Sequence, residues 1–218
     1  MGAQLVGGVI VTLVYMASDQ TGDMQRATIL PATIVGTLLG VLVVARLIRR
    51  SFTDRPWREA LRAVGVTPAP RRELAAAAAL GAVLSVVYVL ILTRMAPPDP
   101  ERTWGPVVQA VSAGGPQQLL WVVLAVAIAP PVEEFVFRGV LFQGLANSWG
   151  RAKSAILVTA IFALFHVPET GSYWPAILAI TIMAVLVMIV RLRYGSLGPA
   201  VAMHMAYNAV LAISAFGS

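Results

Sequence analysis

The stretch from Gln118 to Phe142, QLLWVVLAVAIAPPVEEFVFRGVLF, is the clearest indication of the fold, because its 25 residues include only two glutamates and one arginine among mostly apolar side chains. A helix of about 20 apolar residues is long enough to cross a bilayer. A charged side chain inside such a helix costs about 2.5–3.5 kcal/mol on insertion scales. We therefore expect a membrane-spanning helix whose charged residues are kept for a functional reason.

The rest of the chain has the composition of an integral membrane protein. Of its 218 residues 58% are hydrophobic and 12% are charged, and the mean hydropathy is +0.80. The predicted fold class is all-α, a polytopic transmembrane helix bundle of about seven spans. We expect the first span to be a helix and not a cleaved signal peptide, because no basic segment precedes it. The predicted spans are residues 2–17, 27–47, 73–93, 118–142, 154–168, 174–190 and 197–216.

The charges between these spans alternate in sign, which predicts the topology through the positive-inside rule. Basic residues follow the second, fourth and sixth spans, and acidic residues dominate the other connections. The N-terminus is therefore expected in the cytoplasm. Fifteen of the 16 basic residues are arginine, a bias typical of GC-rich bacterial genomes, so we expect a bacterial inner membrane. The basic connections contain Arg46, Arg49, Arg50, Arg55, Arg58, Arg62, Arg71, Arg72, Arg151, Lys153, Arg191 and Arg193.

The net charge of +6 raises the question of a nucleic-acid partner. Because the basic residues flank apolar spans and form no separate domain, we expect the lipid bilayer as partner and no nucleic acid. Residues 51–66 repeat apolar side chains such as Trp57, Leu61 and Val64 at three- and four-residue steps among arginines. This pattern predicts an amphipathic helix at the cytoplasmic membrane surface.

Three charged residues in the fourth span form the first candidate site. Glu134 and Arg138 are four residues apart and share a helix face, so they are predicted to form an ion pair. Glu133 points about 100° away and is expected to face water or a polar group of another helix. Pro130 and Pro131 are expected to bend or break the helix just before the glutamates. A simple charge cluster at the cytoplasmic end of the helix is the alternative interpretation.

Both histidines of the chain lie in predicted spans. Phe162 lies one turn from His166 and is expected to hold its ring by packing. His204 and Asn208 project side by side and can converge on one ligand atom. A single buried histidine usually serves only as a hydrogen-bonding residue, but two of them together with a glutamate pair favour a shared site in the cytoplasmic half of the bilayer.

The order of these motifs is similar to that of a known family. Glu-Glu-x-x-x-Arg, then Phe-x-x-x-His, then His-x-x-x-Asn resembles the CPBP family, which includes type II CAAX prenyl proteases, bacteriocin-processing intramembrane proteases and the Abi proteins. No motif position departs from the pattern, and the resemblance covers about Gln118 to Phe216. We expect residues 1–117 to supply N-terminal spans and the interfacial helix, and residues 118–218 to supply the catalytic helices of the same membrane domain.

The resemblance implies hydrolysis of peptide bonds in membrane-associated peptides or proteins. It implies that Glu133 and His166 activate a water molecule and that His204 and Asn208 stabilise the oxyanion. Glu134 belongs to the same catalytic group, supported by Arg138. The resemblance does not decide whether the substrate is prenylated.

The sequence leaves two alternatives open, one about a metal ion and one about the function itself. No cofactor is favoured, but Glu133, His166 and His204 also constitute a plausible zinc site with an open position for water. The chain has no cysteine that could serve as a ligand. The same polar cluster could also serve a non-catalytic immunity, regulatory or scaffold protein of the membrane. A transporter is disfavoured because the two halves of the chain show no repeat.

Overall fold

The computed structural model describes residues 56–97, 115–170 and 173–216, together with eight residues between 35 and 50. The predicted span at 2–17, most of the one at 27–47 and the start of the interfacial helix lie outside the described residues. The chain divides into two compact units, one formed by Met1–Ala60 and Pro106–Trp121 and the other by Leu61–Gly105 and Val122–Ser218. Every candidate site residue belongs to the second unit. The predicted boundary between the N-terminal spans, residues 1–117, and the catalytic helices, residues 118–218, stays a prediction.

All regular structure within the described ranges is helical, with no strand among them. The helices are α1 (Trp57–Ala63), α2 (Arg71–Met95), α3 (from Gly115 to Trp149), α4 (Arg151–His166), α5 (Trp174–Tyr194) and α6 (Leu197–Phe216). Helix α2 contains a π-helical turn at Tyr88–Leu92, and α3 contains two, at Leu124–Ile128 and Phe135–Leu141. A short 3₁₀ turn, Val167–Thr170, follows α4.

Proline and glycine set the helix boundaries of the second unit. Pro70 precedes α2, and Pro175 lies in the first turn of α5, where its missing N–H is not needed. Gly150 separates α3 from α4 and has a φ of 81°, and Gly195 ends α5 with a φ of 67°.

The Tyr173 hydroxyl, just before α5, donates to the Ala96 carbonyl, and burial raises the pKa of Tyr173.

Four of these helices are long and apolar enough to cross a membrane. They correspond to the predicted spans at 73–93, 118–142, 174–190 and 197–216. The predicted fifth span corresponds to α4, which has 16 residues and is not among the four. The seven-span count is therefore not confirmed. The candidate spans are Arg71–Met95, Gln118–Trp149, Trp174–Tyr194 and Leu197–Ser214.

A stripe of small residues on α2 allows α6 to approach closely. Ala77, Gly81 and Ser85 are buried and spaced by four residues, so they lie along one helix face. A Cβ atom added at Gly81 would lie 2.1 Å from the Met203 carbonyl oxygen. Small residues at this spacing let two helix backbones pack against each other in membranes. Because His204 follows Met203, this contact helps to set the position of the histidine.

Candidate active site

Glu134 and Arg138 form the predicted ion pair in the interior of the second unit. Arg138 Nη1 lies 3.3 Å from Glu134 Oε1, and both side chains are fully buried. Arg138 Nη2 donates to the Ala184 carbonyl of α5 at 3.1 Å. The guanidinium carbon also lies 4.0 Å from the centre of the Phe162 ring. Arg138 is therefore held by a carboxylate, a carbonyl and an aromatic face.

Glu134 makes a second contact that sequence reasoning missed. Its Oε1 atom lies 2.9 Å from His204 Nδ1 on α6. A carboxylate accepts hydrogen bonds, so Nδ1 donates, and His204 is held in the tautomer that leaves Nε2 as an acceptor while the ring is neutral. Nε2 donates only when the ring is doubly protonated. Glu134 thus connects Arg138 to His204 of the His-x-x-x-Asn motif. The four-residue spacing of Glu134 and Arg138 along α3 did not reveal this role.

Glu133 faces both histidines. Its Oε2 atom lies 4.0 Å from His166 Nε2 and 3.9 Å from His204 Nε2. These distances are too long for direct hydrogen bonds but suit one water molecule lying about 2.8 Å from each atom. The side chains of Glu133 and His166 are each 15% exposed, whereas that of His204 is 4% exposed. The structure therefore brings Glu133 together with both histidines.

The His166 ring is oriented by its own helix. Its Nδ1 atom lies 2.8 Å from the Phe162 carbonyl oxygen, which can only accept, so Nδ1 carries the proton. In the neutral ring Nε2 then has a free lone pair on the side of Glu133. The Phe162 ring lies 4.4 Å from the imidazole centre at 31°, as predicted from the four-residue spacing, and is itself fully buried.

Asn208 closes a gap in the backbone hydrogen bonding of α3. The Ala129 N–H donates to Leu124 and not to Ala125, because the helix makes a π turn there. Pro130, the next residue that could donate to the Ala125 carbonyl, has no N–H. Asn208 Nδ2 donates to that carbonyl at 2.8 Å. One of the two amide hydrogens of Asn208 is thus engaged with α3, and the other remains for a ligand.

The two prolines disturb the helix without breaking it. A bend or break was predicted before Glu133, and the helix is unbroken from Gln118 to Trp149. The disturbance takes the form of the π-helical turn Leu124–Ile128, in which carbonyls lose their usual donors without interrupting the helix. This turn contains Val126 and Ala127, which lie four residues before the two prolines.

The possible zinc ligands do not form a metal-binding group in this structure. Glu133, His166 and His204 face one another, as described above. However, among the residues that the structure describes, no group of three or more His, Cys, Asp or Glu side chains is arranged to hold a metal ion.

Two carboxylates and two histidines, carried on three different helices, thus meet in the second unit. Residues 115–210 match the family model of type II CAAX prenyl endopeptidase Rce1-like proteins. The resemblance to CPBP-family intramembrane proteases is thereby confirmed over this part of the chain. No curated protein and no solved structure matches the chain.

Proposed function

We propose that the protein is an intramembrane endopeptidase that hydrolyses peptide bonds of membrane-associated peptides or proteins with a water molecule activated by Glu133 and His166. The observation that carries the proposal is the spacing of 4.0 and 3.9 Å from Glu133 Oε2 to the two histidine Nε2 atoms. It is supported by the match of residues 115–210 to an endopeptidase family. The preference for prenylated substrates in that family's name is not carried over to this chain.

The proposed reaction begins with the water molecule between Glu133 and His166. It donates one hydrogen to Glu133 Oε2 and the other to His166 Nε2, so its lone pairs are free to attack the carbonyl carbon of the scissile peptide. Glu133 takes the proton as the C–O bond forms. The same proton then passes to the amide nitrogen as the C–N bond breaks, so that an acid and an amine leave.

The oxyanion formed by this attack needs hydrogen-bond donors. Asn208 supplies its second amide hydrogen, and His204 supplies Nε2–H in its doubly protonated form. Each such donor in well-studied hydrolases contributes about 2.7–4 kcal/mol to transition-state stabilisation. Glu134, fixed by Arg138, holds the other side of the His204 ring at Nδ1.

The test compares membrane peptides from strains that carry the wild type, Glu133→Gln or His166→Ala. We expect peptides that accumulate only with the wild type. In purified Glu133→Gln protein reconstituted in vesicles, we expect the rate of their formation to fall by about 100-fold or more, because the general base is lost. The control is Gln143→Ala, an uncharged substitution on the exposed part of α3. A cellular role that survives both active-site substitutions would instead support the non-catalytic immunity, regulatory or scaffold function.

The proposed mechanism needs no metal, which is tested separately. Purified protein is assayed with and without a strong chelator while its zinc content is measured. We expect activity to persist without bound metal. Stoichiometric zinc that is lost together with activity would instead assign Glu133, His166 and His204 as ligands.

A further inference from the structure

A buried arginine outside the three motifs contacts the active-site helix. Arg191 lies in the last turn of α5 and is 4% exposed, whereas Arg193, two residues later, is exposed. Basic residues at this end of a span ordinarily serve topology and remain in the headgroup region. Because a buried cation is costly unless it is hydrogen-bonded, the position of Arg191 needs another explanation.

The partner of Arg191 is the backbone of Arg138. Arg191 Nε donates to the Arg138 carbonyl at 3.2 Å. In an α-helix the Phe142 N–H would donate to this carbonyl, but here it donates to Phe137 and Gly139 at the end of the π turn Phe135–Leu141. Arg191 thus supplies a donor to a carbonyl that the π turn separates from its usual one. Asn208 does the same for Ala125 at the other π turn of α3.

Helix α5 therefore holds Arg138 at two points. The Ala184 carbonyl accepts from the Arg138 guanidinium, and Arg191 donates to the Arg138 main chain. Ala184 and Arg191 are seven residues apart, two helical turns along the same face, with the buried Val187 between them. The side chain and the backbone of Arg138 are both fixed relative to one helix.

The surroundings of Arg191 leave its guanidinium little freedom. A Cβ atom added at Gly65 would lie 2.3 Å from Arg191 Nη2, and Gly65 has a φ of 92°, which favours glycine. The Gly65 carbonyl accepts from the Leu197 N–H at 2.8 Å, which ties this loop to the start of α6. The loop thus packs the guanidinium against α3.

We propose that Arg191 is a positioning residue for the active site, a role that rests on the proposed function where catalysis is concerned. It holds the π turn that carries Arg138. Arg138 in turn holds Glu134 at 3.3 Å, and Glu134 holds His204 at 2.9 Å. Loss of the Arg191 hydrogen bond therefore displaces the Glu134 and His204 pair without removing any group that touches the substrate.

The first test does not depend on catalysis. The chain has only two histidines, so selective ¹⁵N-histidine labelling of the protein in nanodiscs yields a simple spectrum. We expect Arg191→Met to shift the Nδ1 resonance of His204, and Arg191→Lys, which retains a donor, to restore it at least in part. Arg193→Met is the matched control and leaves the resonance unchanged. A purely stabilising role for Arg191 would lower the melting temperature and leave the His204 resonance of the folded protein as in the wild type.

Either of two results overturns the proposal: folded Arg191→Met with wild-type His204 resonances, or an equal shift in Arg193→Met. If Arg191→Met does not fold, the hydrogen bond is tested in the wild type by measuring hydrogen exchange at the Nε–H groups of Arg191 and Arg193. Protection of the Arg191 Nε–H relative to that of Arg193 supports the hydrogen bond, and equal exchange overturns it.

The second test measures hydrolysis of a peptide that the wild type cleaves in vesicles. Arg191→Met is expected to lower kcat by about 10- to 100-fold with little change in KM, because displacement of catalytic groups impairs the chemical step more than binding. An unchanged kcat would refute the positioning role. If the wild type cleaves no peptide, the proposed function fails, and the histidine spectra still decide the role of Arg191.

Discussion

Glu134 Oε1 accepts from side chains on two different elements, Arg138 on its own helix and His204 on α6. All three side chains are at least 95% buried. In such surroundings the removal of one partner of an ion pair strongly destabilises the fold, because it leaves the other charge buried and uncompensated. The adjacent glutamates thus differ in surroundings: Glu134 is enclosed, and Glu133 is partly exposed beside two imidazole Nε2 atoms.

A double-mutant cycle tests the buried pair. Arg138→Met leaves the Glu134 carboxylate without its cation and is expected to lower the free energy of unfolding by about 3–5 kcal/mol. Adding Glu134→Leu removes the uncompensated charge, so the double variant is expected to be more stable than Arg138→Met alone. The free energies of unfolding of the two single variants and the double variant are measured by denaturant unfolding in mixed micelles. Strictly additive effects of the two substitutions would contradict the pairing.

The hydrogen bond of Asn208 is tested by comparing Asn208→Ala with the same substitution at Asn147. Asn208→Ala leaves the Ala125 carbonyl without its donor and is expected to lower the free energy of unfolding by about 1 kcal/mol. Asn147→Ala on α3, which removes an exposed contact with Gln143, is expected to change it by less than about 0.5 kcal/mol. Equal effects in the same unfolding assay would argue against the contact with Ala125.

Among the elements, α3 combines the features that the site requires. Two π turns, Leu124–Ile128 and Phe135–Leu141, flank the segment Ala129–Glu134 that carries both glutamates. Each π turn leaves a carbonyl that a side chain from another helix satisfies, Asn208 from α6 and Arg191 from α5. π turns inside α-helices often occur at functional sites, and here they fix the helix that carries Glu133 and Glu134 against its neighbours.

The contact between α2 and α6 predicts opposite effects for two glycine substitutions. Gly81→Ala places a Cβ atom against the Met203 backbone, so the helices must separate, and we expect a loss of about 1–3 kcal/mol in unfolding free energy. Gly144→Ala on α3 meets no atom within 4 Å and is expected to stabilise by about 0.5–1 kcal/mol through its helix propensity. Destabilisation by both substitutions to the same extent would show that the close approach at Gly81 is not the cause.

At the scale of the whole molecule, the charge pattern predicts which ends of the helices face the cytoplasm. The chain contains no cysteine, so single cysteines can be labelled without background. We expect Arg151→Cys and Arg193→Cys to react with an impermeant maleimide from the cytoplasmic side, and Met95→Cys, at the 75% exposed end of α2, from the opposite side. Labelling of all three from one side would refute the predicted alternation, and the reverse pattern would invert the orientation.

Much of the helical architecture could be predicted from the sequence because it follows from local patterns. Apolar length predicted the helices that correspond to α2, α3, α5 and α6, since a bilayer requires about 20 apolar residues. Spacing by four residues predicted the pairing of Glu134 with Arg138 and the packing of Phe162 on His166. The same spacing of Ala77, Gly81 and Ser85 was available as a signal for the close helix contact, but sequence reasoning did not use it.

The sequence alone indicated the helical membrane class, the motifs of the CPBP family and the contacts within single helices. Which groups bond to one another across different helices followed only from the folded structure. The bonds of His204 with Glu134, Asn208 with Ala125 and Arg191 with Arg138 join residues 70, 83 and 53 positions apart. The periodicity of one helix defines its faces but not its rotation or register against a neighbour, which depend on packing details such as the approach at Gly81 and the two π turns of α3.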